Sequence, residues 1–196
     1  MTILKQSNRR KEIISIAARL FKENSFDRTT VRMLAAATNL KSGSLFHHFK
    51  DKEEILVAVI ESGLKKSIET IETIENNGKK LNSIDKKLFA AIHGHLITLH
   101  GHEKDAHIVS ISDWRALSDL SKKHLIGLRD QYETHWQKVV SEAVDEKVLI
   151  GDPNLVRLFI LGSLNWTIQW FQPNQGLTIE QLAQQFYDSV THTSST

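Results

Sequence analysis

The sequence predicts an all-α fold, with a small three-helix head at residues 1–51 followed by a larger helical domain at residues 52–196. Three observations carry this. Apolar residues recur at helical spacing through most of the 196 residues. Proline occurs only twice and glycine nine times, which favours long helices over a sheet with many turns. The helical stretches are separated by short breaker clusters such as Asn24–Ser25–Phe26–Asp27 and Gly151–Asp152–Pro153.

Residues 1–8 read as a frayed arm. From about Arg9 to Asn24, Ile13, Ala17, Leu20 and Phe21 give an amphipathic first helix. Thr30 can cap a short second helix that turns Val31, Leu34 and Ala35 inward. Asn39 suits the tight connection that follows, and Ser42 can cap a third helix with Leu45 and Phe49 on one face. Asp51 with Glu54 opens a fourth helix, expected to run to a turn at Asn76–Asn77–Gly78.

Ser83 or Asp85 starts a fifth, with Leu88, Ile92, Leu96 and Leu99 inside. Asp105–Leu117 reads as less regular. Ser118 to about Val148 is one long helix with Leu125, Leu128, Tyr132, Trp136, Val139, Val140 and Val144 along its inner side. Pro153 sits in the first turn of the next, whose run LVRLFILGSLNWTIQWF is apolar nearly all round and is therefore expected to be covered on both sides. After a turn at Gln172–Gly176, Thr178 and Gln181 form a capping box for the last helix, which carries Leu182, Phe186 and Val190 inward. The tail Thr193–Thr196 is expected to be disordered.

With 40% hydrophobic and 24% charged residues, the chain can bury a core. It has no cysteine, which excludes disulfides, thiolate metal sites and cysteine nucleophiles and fits a reducing cytoplasm. The sequence shows no signal peptide and no apolar run long enough for a membrane. The net charge of +2 is uneven: residues 1–54 hold 11 Lys and Arg against 6 Asp and Glu, leaving the remainder acidic. A basic head suits contact with phosphates.

Two short helices joined by a turn, the second exposing Lys41, Ser42, Ser44 and His47, read as a helix-turn-helix. The motifs Leu20–Phe21, Ser25–Phe26, Thr29–Thr30–Val31, Leu34–Ala35, Gly43–Ser44–Leu45–Phe46–His47–His48–Phe49 and Lys52 are similar to the head of the TetR family of transcriptional regulators. The resemblance covers about a quarter of the chain. It implies a homodimer that represses transcription from a palindromic operator of double-stranded DNA. Thr30, His47 and Lys52 would contact phosphates, and Lys41, Ser42, Gly43 and Ser44 would enter the major groove. Phe46 stands where the family has a phosphate-reaching Tyr, Ser25 where it has Gly, and Met33 where it has the acidic partner of the Thr30 cap.

Further on, Arg129–Glu133 and Gly162–Trp166, followed by Trp170, Pro173, Gly176 and Leu177, resemble a subgroup controlling fatty-acid or steroid catabolism. That resemblance implies a hydrophobic or acyl-CoA-like effector that releases the operator. Trp114, Trp136, Trp166 and Trp170 can line an apolar pocket with Tyr132 and Asn165, and Arg115 and Arg129 can pair with an anionic end. The apolar run at 155–171 and the last helix are expected to form the dimer interface.

The cluster His93, His95, His100, His102 and His107 raises a metal-responsive regulator as an alternative, but His-x-His pairs on a helix point apart, and no metal is expected. No catalytic motif is present, so neither an enzyme nor a cofactor is expected. A helical protein-binding adaptor is the remaining alternative, separable by the salt dependence of DNA binding.

Overall fold

Ile13, Ala17 and Phe21 are fully buried along one side of the first helix, α1 (Thr2–Arg28), as their four-residue spacing requires. The computed structural model describes residues 2–76, 81–173 and 175–191, with side chains from residue 8 onward. The helix starts at Thr2, so the expected frayed arm is helical instead; residues 2–8 contain no glycine or proline to end it. At the other end Ser25 breaks the helix with φ 63° and ψ 162°. That region is open to glycine and costs a side chain on the order of 1–3 kcal/mol.

There follow α2 (Val31–Ala37), α3 (Ser42–Leu45), α4 (Lys52–Asn76), α5 (Ile84–His100), α6 (Lys104–Ser112), α7 (Asp119–Asp145), α8 (Pro153–Trp166) and α9 (Ile179–Thr191). Two short 3-10 turns lie at Trp114–Ala116 and Thr167–Gln169, and the described residues contain no strand. The turn expected at Asn77–Gly78, Asn174 and the tail Thr193–Thr196 lie outside the described residues.

Local chemistry explains most of the boundaries. Thr30 accepts from Met33 N at 3.2 Å, Ser83 from Lys86 N, and Asp152 from both Asn154 N and Leu155 N at 3.0 Å ahead of Pro153. Thr178 and Gln181 bond reciprocally, at 2.9 and 3.1 Å. Glu54 N donates to Asp51, while the Glu54 carboxylate reaches back to Lys50 N. Two expectations need correction. Ser42 is the first residue of α3 and Lys41 stands at the cap, because the opening hydrogen bonds of that turn, from Ser44 N and Leu45 N, go to the Lys41 carbonyl. The segment expected to be irregular is largely the helix α6, whose Ala106 and Val109 are buried.

The chain folds as two compact units, Met1–Leu64 with Glu103–Leu128, and Lys65–His102 with Arg129–Thr196. In the first, α1 packs on α6, and one apolar core joins Phe21, Leu34, Leu45 and Phe49 to Ile55, Leu56, Val109 and Leu125. In the second, α5 packs against α8 and α9, with Leu88, Ile92, Leu96, Trp136 and Val140 fully buried. Tyr187 of α9 donates to Asp85 of α5 at 2.8 Å, and burial, then that carboxylate, push its phenol up to about 12.

The run at 155–171 is not covered on both sides. Ile160, Leu161 and Leu164 are buried, whereas Phe159 is 71% and Trp166 66% exposed, with Leu155, Leu158 and Trp170 exposed beside them. No described helix is long and apolar enough to cross a membrane.

Ser25→Gly should stabilise the protein, since glycine takes this φ without steric cost. A rise in thermal midpoint corresponding to about 1 kcal/mol is expected, and an unchanged or lower midpoint would show that the serine is not strained.

Candidate nucleic-acid interface and helical core

The two short helices are held from behind and open in front. Leu34 and Ala35 of α2 and Leu45 and Phe49 at α3 are buried, so each helix spends its apolar side on the head's core. α2 ends with Asn39 at φ 53°, where Leu40 N bonds to Ala35 O and Asn39 N to Ala36 O, the paired bonds of a left-handed helix stop. Arg9 donates to the Thr38 carbonyl at this stop. The Arg10 guanidinium lies 4.6 Å from the Phe49 ring centre, so α1 braces both helices.

On the outer side Thr30, Lys41, Ser42, Gly43, Phe46 and His47 are exposed and Ser44 is half-buried. A Cβ placed on Gly43 would meet nothing within 4 Å, so no packing inside the protein calls for glycine there. Lys52 lies differently. It is half-buried, and its ammonium is bonded to the carbonyls of Phe26 and Thr29 at 2.9 and 3.0 Å.

In the second unit, Tyr132, Asn165 and Trp136 meet around His95, a residue the sequence had placed with the other histidines. His95 is buried; its Nδ1 is 2.7 Å from the Tyr132 hydroxyl and its Nε2 is 3.2 Å from Asn165 Oδ1. With the Asn165 oxygen facing it, Nε2 carries the proton and Nδ1 accepts from the phenol. Burial pushes that phenol well above its ordinary range, so Tyr132 stays a neutral donor. Trp136 is fully buried and stands edge-on to the imidazole.

His100 bonds to Thr167 at 2.7 Å. No three His, Asp or Glu side chains among the described residues are grouped to hold a metal. Trp166 and Trp170 lie on the exposed side, and Arg129 is half exposed, paired with Glu133. Trp114 and Arg115 belong to the first unit, where Trp114 packs on the core and Arg115 is exposed.

Between α4 and α5 of this unit lies an open groove of about 450 Å³, edged by Lys66, Thr73 and His93. A crevice too narrow to hold a water molecule lies against His95 and Tyr132. Thr70, Ile74 and Gly94 border both. A Cβ on Gly94 would come within 2.9 Å of Thr70 and 3.0 Å of Ile74, so glycine sets how closely the two helices approach.

Residues 13–59 match the model for bacterial regulatory proteins of the tetR family, and residues 82–193 match that for the tetracyclin repressor-like C-terminal domain. The chain belongs to the TetR family. It is a transcriptional regulator by that membership, with a helix-turn-helix head and a helical C-terminal domain. The HTH-type transcriptional repressor KstR2 of Mycolicibacterium smegmatis is 29% identical over 188 residues, covering 92% of this chain and 87% of that protein. The crystal structure of the superantigen PfiT is 35% identical with a TM-score of 0.80, covering 95% and 97%. That of the TetR regulator PfmR from Thermus thermophilus is 27% identical with a TM-score of 0.82, covering 91% and 96%.

This TetR-family head carries one further contact that sequence spacing does not reveal. Ser118 caps α7, its hydroxyl accepting from Ser121 N at 3.3 Å. A capping box would place Glu at the third helical position to bond back to the cap's own N–H, but that position is Ser121. Glu53 of α4 supplies the carboxylate instead, accepting from Ser118 N at 2.8 Å and Ser121 Oγ at 2.7 Å. The bonds from Ser118 and Ser121 hold the Glu53 pKa below its ordinary 4.5. A depressed carboxylate stabilises the fold above its unfolded-state pKa and loses that contribution as pH falls through the folded value. Glu53→Gln should therefore lower the urea midpoint at pH 7, with the gap to the wild type closing below about pH 4.5. A gap that persists at pH 3 would separate the effect from the carboxylate's charge.

Proposed function

We propose that this protein is a homodimeric, cytoplasmic repressor that binds a palindromic operator and leaves it when a small molecule fills the C-terminal domain. The observation that carries the DNA half is the head's division of labour. Leu45 and Phe49 anchor one side of α3 in the core, while Lys41, Ser42 and Gly43 are exposed and Ser44 is half-buried beside them. Lys41 can donate to guanine and the serines to several base edges in the major groove. Gly43, with open space in front of its Cα, lets the backbone come close to the duplex. Thr30, Phe46 and His47 flank this patch and face the sugar-phosphate backbone, where contacts fix register without reading sequence.

The exposed apolar side of α8 supports the dimer. Leu155, Leu158, Phe159, Trp166 and Trp170 form a surface too apolar to stay in water, and a second copy would cover it about a two-fold axis. Two heads then read two half-sites one or more helical turns apart.

For the effector, the buried His95–Tyr132–Asn165 contacts offer polar recognition inside an apolar domain. The molecule would enter from the groove between α4 and α5 by parting Thr70 and Ile74 from Gly94. An apolar body ending in a carbonyl or thioester, of the acyl-CoA kind, suits this combination of groove and polar floor. Such a ligand releases DNA only if it binds the released state more tightly. The half-exposed Arg129 of the same unit is a cation for its anionic end.

Selection of random duplexes on the purified protein tests the first half: a palindromic consensus is expected, and no enrichment at low salt would sink it. Gly43→Ala should fold at least as well as the wild type, because alanine is the better helix former by about 1 kcal/mol, yet bind the selected site more weakly. Equal binding would remove the close approach from the reading. Tyr132→Phe should keep operator affinity while raising the acyl-CoA concentration needed for release, measured by fluorescence anisotropy across a chain-length series. If no acyl-CoA releases the wild type, that effector class is wrong.

A further inference from the structure

Lys52, the first residue of α4, is built into the α1–α2 turn. Its Nζ donates to Phe26 O at 2.9 Å and to Thr29 O at 3.0 Å, and stands 4.1 Å from the centre of the Phe26 ring. An ammonium has three N–H donors. Two are taken by carbonyls and the ring occupies the remaining side, where a cation is attracted to the π face.

The Phe26 carbonyl also accepts from Thr29 N at 3.2 Å, whereas the Thr29 carbonyl needs an outside donor. In a continuous helix Thr29 O would accept from Met33 N, but that N–H goes to the Thr30 cap instead. Phe26 is held from the other side too: its N–H donates to the buried Asp113 at 3.1 Å, and its ring meets Phe21 at 5.6 Å. Residue 25, immediately before it, is the serine in the left-handed region. The turn is therefore kept in an unfavourable conformation by contacts on Phe26 and Thr29, and it leads directly into Thr30 and α2.

We propose that Lys52 is a positioning residue for operator binding: its ammonium ties the α1–α2 turn to the start of α4 and so fixes where Thr30 and α2 meet the duplex, rather than neutralising a phosphate. This rests on the DNA-binding reading above. It assigns to the lysine a loss of affinity with an unusual signature. A phosphate contact contributes to the salt slope of binding, about 0.9 per phosphate and so roughly 1.8 for two protomers. A tether contributes to affinity at every salt concentration alike.

The test is operator binding across a salt series for the wild type, Lys52→Met and, as the exposed comparison, Lys41→Gln, together with NMR of the Lys52 ε-methylene in the full-length wild type. For Lys52→Met, affinity should fall about tenfold, as for loss of a charge-assisted hydrogen bond, with the wild-type salt slope and a lower thermal midpoint. The ε-methylene should be shifted upfield by the Phe26 ring in the free protein and remain so with operator bound. A slope reduced by roughly 1.8 with an unchanged thermal midpoint, or an ε-methylene that leaves the ring on adding operator, overturns the proposal. The free-protein shift needs no DNA: its absence overturns the tether alone, whereas a wild type that binds no duplex overturns the DNA-binding reading and leaves the shift standing.

Discussion

The head of this protein depends on holding a serine in a backbone conformation that suits glycine. Ser25 at φ 63° is what lets α1 stop and the chain turn toward Thr30. With a glycine the turn would need little support. With a serine it has to be held by its surroundings: Lys52 from α4 and Asp113 from just after α6 come from far along the sequence, and Phe21 adds a contact from α1 itself. The orientation of the helix-turn-helix follows from that set of contacts. A strained turn persists only where neighbours over-determine it, and here they act on both sides of a single residue, Phe26.

The same borrowing recurs at the start of α7. Its N-terminus lacks the acidic residue that would complete a local capping box, and Glu53 on the first turn of α4 provides the carboxylate. Lys52 and Glu53 are adjacent, yet one serves the α1–α2 turn and the other α7. The beginning of α4 is thus a junction of opposite charges, each meeting a backbone group left over where a helix begins or ends. Any motion that shifts α4 along its axis disturbs both. That gives a regulator of this family a physical means of coupling a change in α4 to the presentation of its reading helix.

The helical core of the second unit is built on a different balance. His95 and His100 are buried and bonded to Tyr132, Asn165 and Thr167. Buried polar groups satisfied in this way cost little as they stand, but an entering molecule that competes for them can trade one set of bonds for another. The apolar side of α8 shows the opposite situation, with large side chains left in water in the single chain.

Sequence alone determined what depends on local chemistry. The helix caps at Thr30 and Thr178, the tight connection at Asn39, the inward faces of α5 and α7 and the helix-turn-helix motif all follow from residue type and spacing over a few positions. The awkwardness of Ser25 was legible only through the family resemblance, which has Gly at that position. Where only exposure mattered, as for Lys41, Ser42 and His47, the pattern also sufficed. Tertiary structure decided what joins distant positions. Ala106, Val109 and Leu125 enter the head's core from well beyond the motif; the Lys52 ammonium turns inward to carbonyls; Glu53 caps a helix other than its own; and His95 is held between Tyr132 and Asn165. The physical reason is one of range. A helix fixes the side on which a residue lies, but which chain segment faces that side is chosen by packing of the whole unit, and spacing along the sequence carries no record of that choice.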